Sequence, residues 1–330
     1  MRFSNSSRVS GLLRWMVAVV VIAMPQVVHA QWRATVGAQS TNLARQALAF
    51  LPNEIWIHEG DSITWKFDVA ELHTLTFLKS GQVRPPFPVG CPGFSSSPAT
   101  FDGSTCVSTP PLVTPATFTV EFPEIGNFKF ACLLHPDMTG VVHVLKLSTA
   151  LPHTQDFYED AAEDEAREIL TDAELDKEHA HAAEHGDGHH HVTAGFGEVS
   201  ATPGGTNTLS VNRFFEHTTV IHVGQIVEWG NEDPATPHTI TFGTEPVNPI
   251  PPSANVAIDE DGALHATIHA LSDSVHSGFI SASPQDRIGL PQSPLAVTRF
   301  RVTFTKAGTY PYICALHDVL GMKGKVIVLP

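Results

Sequence analysis

The chain has 330 residues, with 34 Asp and Glu against 19 Lys and Arg, for a net charge of −15 with the histidines neutral. Such acidity speaks against a nucleic-acid partner. The length suits two domains better than one.

Residues 1–30 read as an export signal. Arg2, Arg8 and Arg14 form a basic start, and Trp15 to Met24 is an apolar run too short for a stable membrane span. Val28-His29-Ala30 resembles a small-x-small cleavage site, so the mature chain is predicted to begin at Gln31. An uncleaved N-terminal anchor is the competing reading. No later segment is apolar enough to cross a bilayer, which predicts a periplasmic or extracellular protein with no membrane span after cleavage. Loss of three arginines would deepen the negative charge by three, and long-range attraction could then steer a basic protein partner.

Residues 31–150 form the first predicted domain. Ile55-Trp-Ile-His-Glu-Gly-Asp-Ser-Ile-Thr-Trp65 alternates apolar and polar residues around a turn, and Glu71-Leu-His-Thr-Leu-Thr-Phe77 follows. In Thr117–Cys132, Phe118, Val120 and Phe122 share one face while Thr117, Thr119 and Glu121 share the other, the pattern of a half-buried strand. A Pro/Gly/Ser-rich insert, 79–113, interrupts these runs and contains Cys91 and Cys106. Those two are left over once Cys132 and Cys314 are set aside in metal-loop motifs, so they are predicted to pair. Closing so short a loop contributes about 3 kcal/mol in the chain-entropy model. Metal binding by Cys91 and Cys106 is the alternative, with no nearby histidine in its favour.

Residues 151–191 read as an acidic, His-rich linker. Gln155 to about Ala183 is rich in Glu, Asp and Ala, with Phe157, Ile169, Leu170 and Leu175 as sparse apolar points, which suits a solvated helix. Glu184 to His191 reads as flexible. Residues 192–330 form the second predicted domain, a copy of the first with its own Pro/Ser-rich insert at 243–296. Thr219-Val-Ile-His-Val-Gly-Gln-Ile-Val-Glu-Trp229, Thr236-Pro-His-Thr-Ile-Thr-Phe242 and Arg299–Cys314 match the three segments of the first half. Strands without helical periodicity between them predict an all-β chain of two β-sandwiches.

Each copy ends in a dense motif: Cys132-Leu-Leu-His135-Pro-Asp-Met138 and Cys314-Ala-Leu-His317-Asp-Val-Leu-Gly-Met322. Met138 and Met322 are the methionines left after signal removal. Thiolate, imidazole and thioether, completed by an upstream histidine, make the donor set of a blue copper site. The predicted metal ligands are His73, Cys132, His135 and Met138 in one half, and His238, Cys314, His317 and Met322 in the other. Phe128, Phe130, Tyr310 and Tyr312 are expected to enclose the metal edge, and Gly140 and Gly321 to close the loops. Zinc competes for Cys/His₂ sites, but zinc sites rarely recruit methionine.

On these residues both halves resemble cupredoxins, the plastocyanin/azurin-type blue copper proteins. The first loop has the Cys-x-x-His-x-x-Met spacing of amicyanin, including Pro136. The second has the longer spacing of plastocyanin and pseudoazurin. The resemblance covers residues 31–147 and about 192–330, apart from the inserts and the linker. It implies a Greek-key β-sandwich in each half, a type 1 copper in each, and electron transfer with redox protein partners.

Two-domain laccases and copper nitrite reductases are the enzymatic alternative. They place a histidine directly beside the copper cysteine. Here Ala131 and Leu133 flank Cys132, and Ile313 and Ala315 flank Cys314. The His-x-His pair His179-Ala-His181 lies in the linker. A second alternative is a copper-holding or delivery protein that collects metal on His179, His181, His185, His189, His190 and His191. His58 and His222 read as exposed turn residues. His265 and His269, four apart, would share a face if helical, and with His276 they would cover the second site. Trp56, Trp65 and Trp229 are expected in the core.

Overall fold

The computed structural model describes residues 1, 29–85, 91–171, 189–282 and 297–330. Nearly all of the predicted signal lies outside these residues, as do His179, His181 and His185. No described helix is long and apolar enough to cross a membrane.

The first half contains β1 (Gln31–Gln39), β2 (Arg45–Leu51), β3 (Glu54–His58), β4 (Ser62–Phe67), β5 (Thr76–Phe77), β6 (Ala99–Thr100), β7 (Val107–Ser108), β8 (Ala116–Glu121), β9 (Gly126–Ala131) and β10 (Thr139–Leu145). Helix α1 (Gln155–Thr171) follows. The second half contains β11 (His190–Thr202), β12 (Gly205–Phe215), β13 (Thr218–His222), β14 (Ile226–Glu232), β15 (Thr241–Phe242), β16 (Ala257–Ile258), β17 (Leu264–Ile268), β18 (Val275–His276), β19 (Arg299–Phe304), β20 (Gly308–Ile313) and β21 (Lys323–Leu329).

The fold is all-β and duplicated. In the first half, β2-β1-β4-β8-β6 faces β3-β10-β9-β5-β7; in the second, β12-β11-β14-β19-β17-β16 faces β13-β21-β20-β15-β18. The order is the same in both, with β16 as an additional edge strand in the second. Period-two sequence puts Phe118, Val120 and Phe122 inside one sandwich, and Phe300, Val302 and Phe304 inside the other. Trp65 and Trp229 are fully buried at the two centres, against Phe77 and Phe130 in one and Phe242 and Tyr312 in the other. Trp56 departs from expectation. It is only half-buried and stacks on His143 with ring centroids 3.9 Å apart.

The halves are not beads on a linker. Edge strands β2 and β12 pair antiparallel, with Leu48 opposite Thr208 and Arg45 opposite Val211, which makes one 11-stranded sheet of both front sheets. Two open edges, each a row of unpaired amides and carbonyls, satisfy one another there. A third apolar cluster seals the junction: Ala47, Ala49, Leu51, Phe196, Leu209 and Val211, closed over by Ile169 of α1. Helix α1 is therefore packed rather than solvated. Tyr158, Ala162, Ala166 and Ile169 form its inward stripe, and the Tyr158 hydroxyl accepts the Trp56 amide at 2.8 Å. Sparse large residues hid that stripe, because two of its members are alanines. The second half also starts earlier than expected, since His190 and His191 already belong to β11.

Both inserts carry strands. The first supplies β6 and β7 and holds the Cys91–Cys106 disulfide, with Cα atoms 5.4 Å apart. The second supplies β16, β17 and β18, and β17 lies parallel to β19 in the large sheet. His265 therefore sits on a strand, not a helix, and faces Thr303 Oγ1 at 2.9 Å. His269 follows that strand, with Nδ1 3.1 Å from Thr305 Oγ1. Neither forms a shared helical face.

Candidate metal centres

Each centre draws on two places in its sandwich. His73 and His238 are pinned by backbone bridges to the inserts: their amides donate to Leu112 O and Ile280 O, each at 3.0 Å. Cys132 and Cys314 sit just past β9 and β20, fully buried. The first loop closes through Cys132 N to Met138 O at 2.9 Å and Met138 N to His135 O at 3.2 Å. The second closes through Cys314 N to Met322 O and Met322 N to His317 O, each at 3.1 Å. Its two extra residues are absorbed by a short 3-10 turn, Asp318–Leu320, that ends on Gly321 at φ 90°.

The folding brings the predicted donors together. His73 Nδ1 and His135 Nδ1 are 3.2 Å apart, and His135 Nδ1 is 3.5 Å from Cys132 Sγ. In the second half His238 Nδ1 and His317 Nδ1 are also 3.2 Å apart, with Cys314 Sγ 3.4 Å from His317 Nδ1 and 3.8 Å from His238 Nδ1. All three donor atoms of each set lie within 4.8 Å of one another, and all six residues are buried. Met138 and Met322 are fully buried in the same clusters as their cysteines. Phe130 and Tyr312 run beneath the loops as core residues, in contact with Trp65 and Trp229.

The threonine after each upstream histidine holds the thiol. Thr74 N donates to Cys132 Sγ at 3.3 Å, and Thr239 N to Cys314 Sγ at 3.4 Å. Each threonine hydroxyl also accepts the amide that follows the cysteine, Leu133 N at 2.7 Å and Ala315 N at 2.8 Å. Burial works to raise the Cys132 thiol, but the His73 imidazole and the Thr74 amide outweigh it and the thiol is lowered. Cys314 is likewise opposed by burial, yet His317 and His238 bring it well below the usual thiol range. Both pockets favour thiolates, the form that binds metal.

Several supporting residues were not singled out from the sequence. Gly37 and Gly195, at φ 74° and 75°, let β1 and β11 pass over the upstream imidazoles. A Cβ on Gly37 would lie 2.9 Å from His73 Nε2, and one on Gly195 would collide with the His238 ring. From the first insert, Arg84 donates to the carbonyls of Cys132, His135 and Pro136, clamping the ligand loop. Arg213 spans the halves, donating to Leu320 O at 2.8 Å and Asn42 O at 2.7 Å. Asp233 Oδ2 lies 3.7 Å from His238 Nε2 with both side chains fully buried, and Ser210 donates to the same carboxylate. Burial acts against the His238 charge, but Asp233 and the Cys314 thiolate push it up to about 9.

Several other described histidines have structural partners. His58 and His222 end equivalent strands and face Thr149 O at 2.8 Å and Pro330 O at 2.9 Å. His276 is buried between Thr241 Oγ1 at 2.8 Å and Pro249 O at 3.0 Å. His189 and His191 lie 3.9 and 3.6 Å from the Glu228 carboxylate.

Residues 213–329 match the copper binding proteins of the plastocyanin/azurin family. No curated protein matches the chain. Among solved structures, oxidised plastocyanin from Dryopteris crassirhizoma is 18% identical, covering 42% of this chain and 99% of its own, at a TM-score of 0.22. A Cu(I) amicyanin variant is 18% identical, covering 46% of this chain and 89% of its own, at a TM-score of 0.23. The second half thus matches the plastocyanin/azurin family, and the two buried His/Cys/His sets fit a tandem cupredoxin.

Proposed function

We propose that the protein is an exported electron carrier with two type 1 copper sites, one in each half. The observation that carries this reading is the repeated, buried set of one thiol and two imidazole Nδ1 atoms, at matching distances in both halves. Copper would supply a one-electron couple in each. His73, Cys132, His135 and Met138 would hold one ion, and His238, Cys314, His317 and Met322 the other. A soft thiolate and thioether favour Cu(I), and imidazoles suit both states. The chain fixes these donors before metal arrives: backbone bridges hold the upstream histidines, threonine amides hold the thiolates, and Arg84 and Arg213 hold the loops. Rigid donors leave little to reorganise on electron transfer. Full burial of the cysteines keeps water away.

The residues flanking each cysteine carry no imidazole, so this reading leaves the chain as a carrier rather than an oxidase or reductase. Redox proteins would be its partners. Val319, in the second ligand loop, and Leu72, beside His73, are exposed apolar residues suited to such contacts, within an acidic chain that favours a basic partner. Cys132→Ser and Cys314→Ser test the reading. Each should remove one bound copper and half of the intense thiolate-to-copper absorption of the oxidised protein. Loss of all colour from one change would mean a single site.

A further inference from the structure

The two C-terminal ligand imidazoles turn their outer nitrogens toward one carboxylate. Glu71 Oε1 lies 3.8 Å from His135 Nε2, and Glu71 Oε2 lies 3.6 Å from His317 Nε2. Glu71 belongs to the first half, yet it faces a donor of the second. It is only 7% exposed. Oε1 accepts the Leu72 amide at 3.1 Å, while Oε2 has no hydrogen-bond partner among the described residues. A buried carboxylate with an unsatisfied oxygen is costly unless positive charge faces it. The Nδ1 atoms of both histidines point at their cysteines, which leaves the Nε2 sides to face Glu71.

We propose that Glu71 is a shared anion for both metal sites: one carboxylate that orients two ligand imidazoles and sets the preferred metal charge in both halves together. The inference rests on the copper reading above. A metal on one nitrogen of an imidazole makes the N–H on the other more positive, and more so for Cu(II) than for Cu(I). A carboxylate beside that N–H therefore favours the oxidised ion. Because the acid stands between two such rings, its charge acts on both. The position is not duplicated. Thr236 occupies the matching place two residues before His238. Asp233 is the natural contrast, since it faces the other imidazole of the second site.

Glu71→Gln in the full chain keeps the shape and removes the charge. Two blue coppers should remain, and the Cu(II)-over-Cu(I) affinity ratio should fall at both sites, on the order of tenfold each. For a one-electron couple that is a rise in potential of about 59 mV per site. In the metal-free protein with 15N-labelled histidine, the same change should move the Nε2 resonances of His135 and His317 together and leave His265 in place. Glu71→Asp, which keeps the charge on a shorter arm, should shift both potentials less and in the same direction. If Glu71→Gln does not fold, that variant decides. Potentials that stay put, or a shift at one site alone, with two coppers still bound, would overturn the shared role. A wild-type protein without blue copper would instead defeat the carrier reading, and this inference with it.

Discussion

The two halves keep the same donors, and the same threonines, glycines and backbone bridges around them, yet differ in the charged groups that face the sites. Glu71 stands where the second half has Thr236, and Asp233 Oδ2 lies 3.7 Å from His238 Nε2. Arg84 clamps the first loop from within its own half, whereas Arg213 ties the second loop to Asn42 across the junction. Met138 follows its histidine by three residues and Met322 by five. The comparison teaches that the donors and the groups that hold them are duplicated while the charged residues that tune them are not. Two sites built this way are expected to differ in potential, as suits a relay more than a paired store.

The junction is the largest lever on that comparison. Ile169→Ala removes the helix residue that closes the shared apolar cluster and should cost about 2 to 4 kcal/mol. Thermal or denaturant unfolding would measure it. Blue absorption should survive, because Ile169 touches neither donor set. If colour were lost along with stability, the halves could not be treated as separate sites on one frame.

A smaller and more local effect is expected at Gly195. An alanine there would drive its Cβ into the His238 ring and strain a left-handed backbone. Metal affinity of the second site should fall on the order of 10- to 100-fold, with the first site unchanged. Gly37→Ala is the matched change in the first half. It should be milder, since its Cβ would come to 2.9 Å from the His73 ring, whereas a Cβ on Gly195 would come closer still to the His238 ring. Site-resolved metal titration separates the two, and equal losses would mean that the upstream imidazoles are held alike.

Much of this was legible in the sequence because it is local. A Cys-x-x-His loop fixes donors within a few residues, and a period-two strand declares its buried face at Phe118, Val120 and Phe122. The pairing of β2 with β12 left no such trace. An edge strand chooses its neighbour by shape and open hydrogen bonds, and Ala47 and Ala49 give no sign of partner. Helix α1 seemed solvated because small residues carry half of its buried stripe. Glu71 does not stand out as functional in the sequence alone. The available signal was a carboxylate two residues before a ligand histidine, where the second copy has a threonine. Its meaning depends on a ring from the other half, which only the assembled sheet brings near.

The central claim is two blue copper centres in one chain. Copper count per chain, taken with the visible and EPR spectra of the oxidised wild-type protein, tests it most directly. The account predicts two coppers, strong thiolate absorption, and two type 1 signals that are similar but not identical. One copper per chain, zinc in either site, or a copper signal without thiolate character would contradict it.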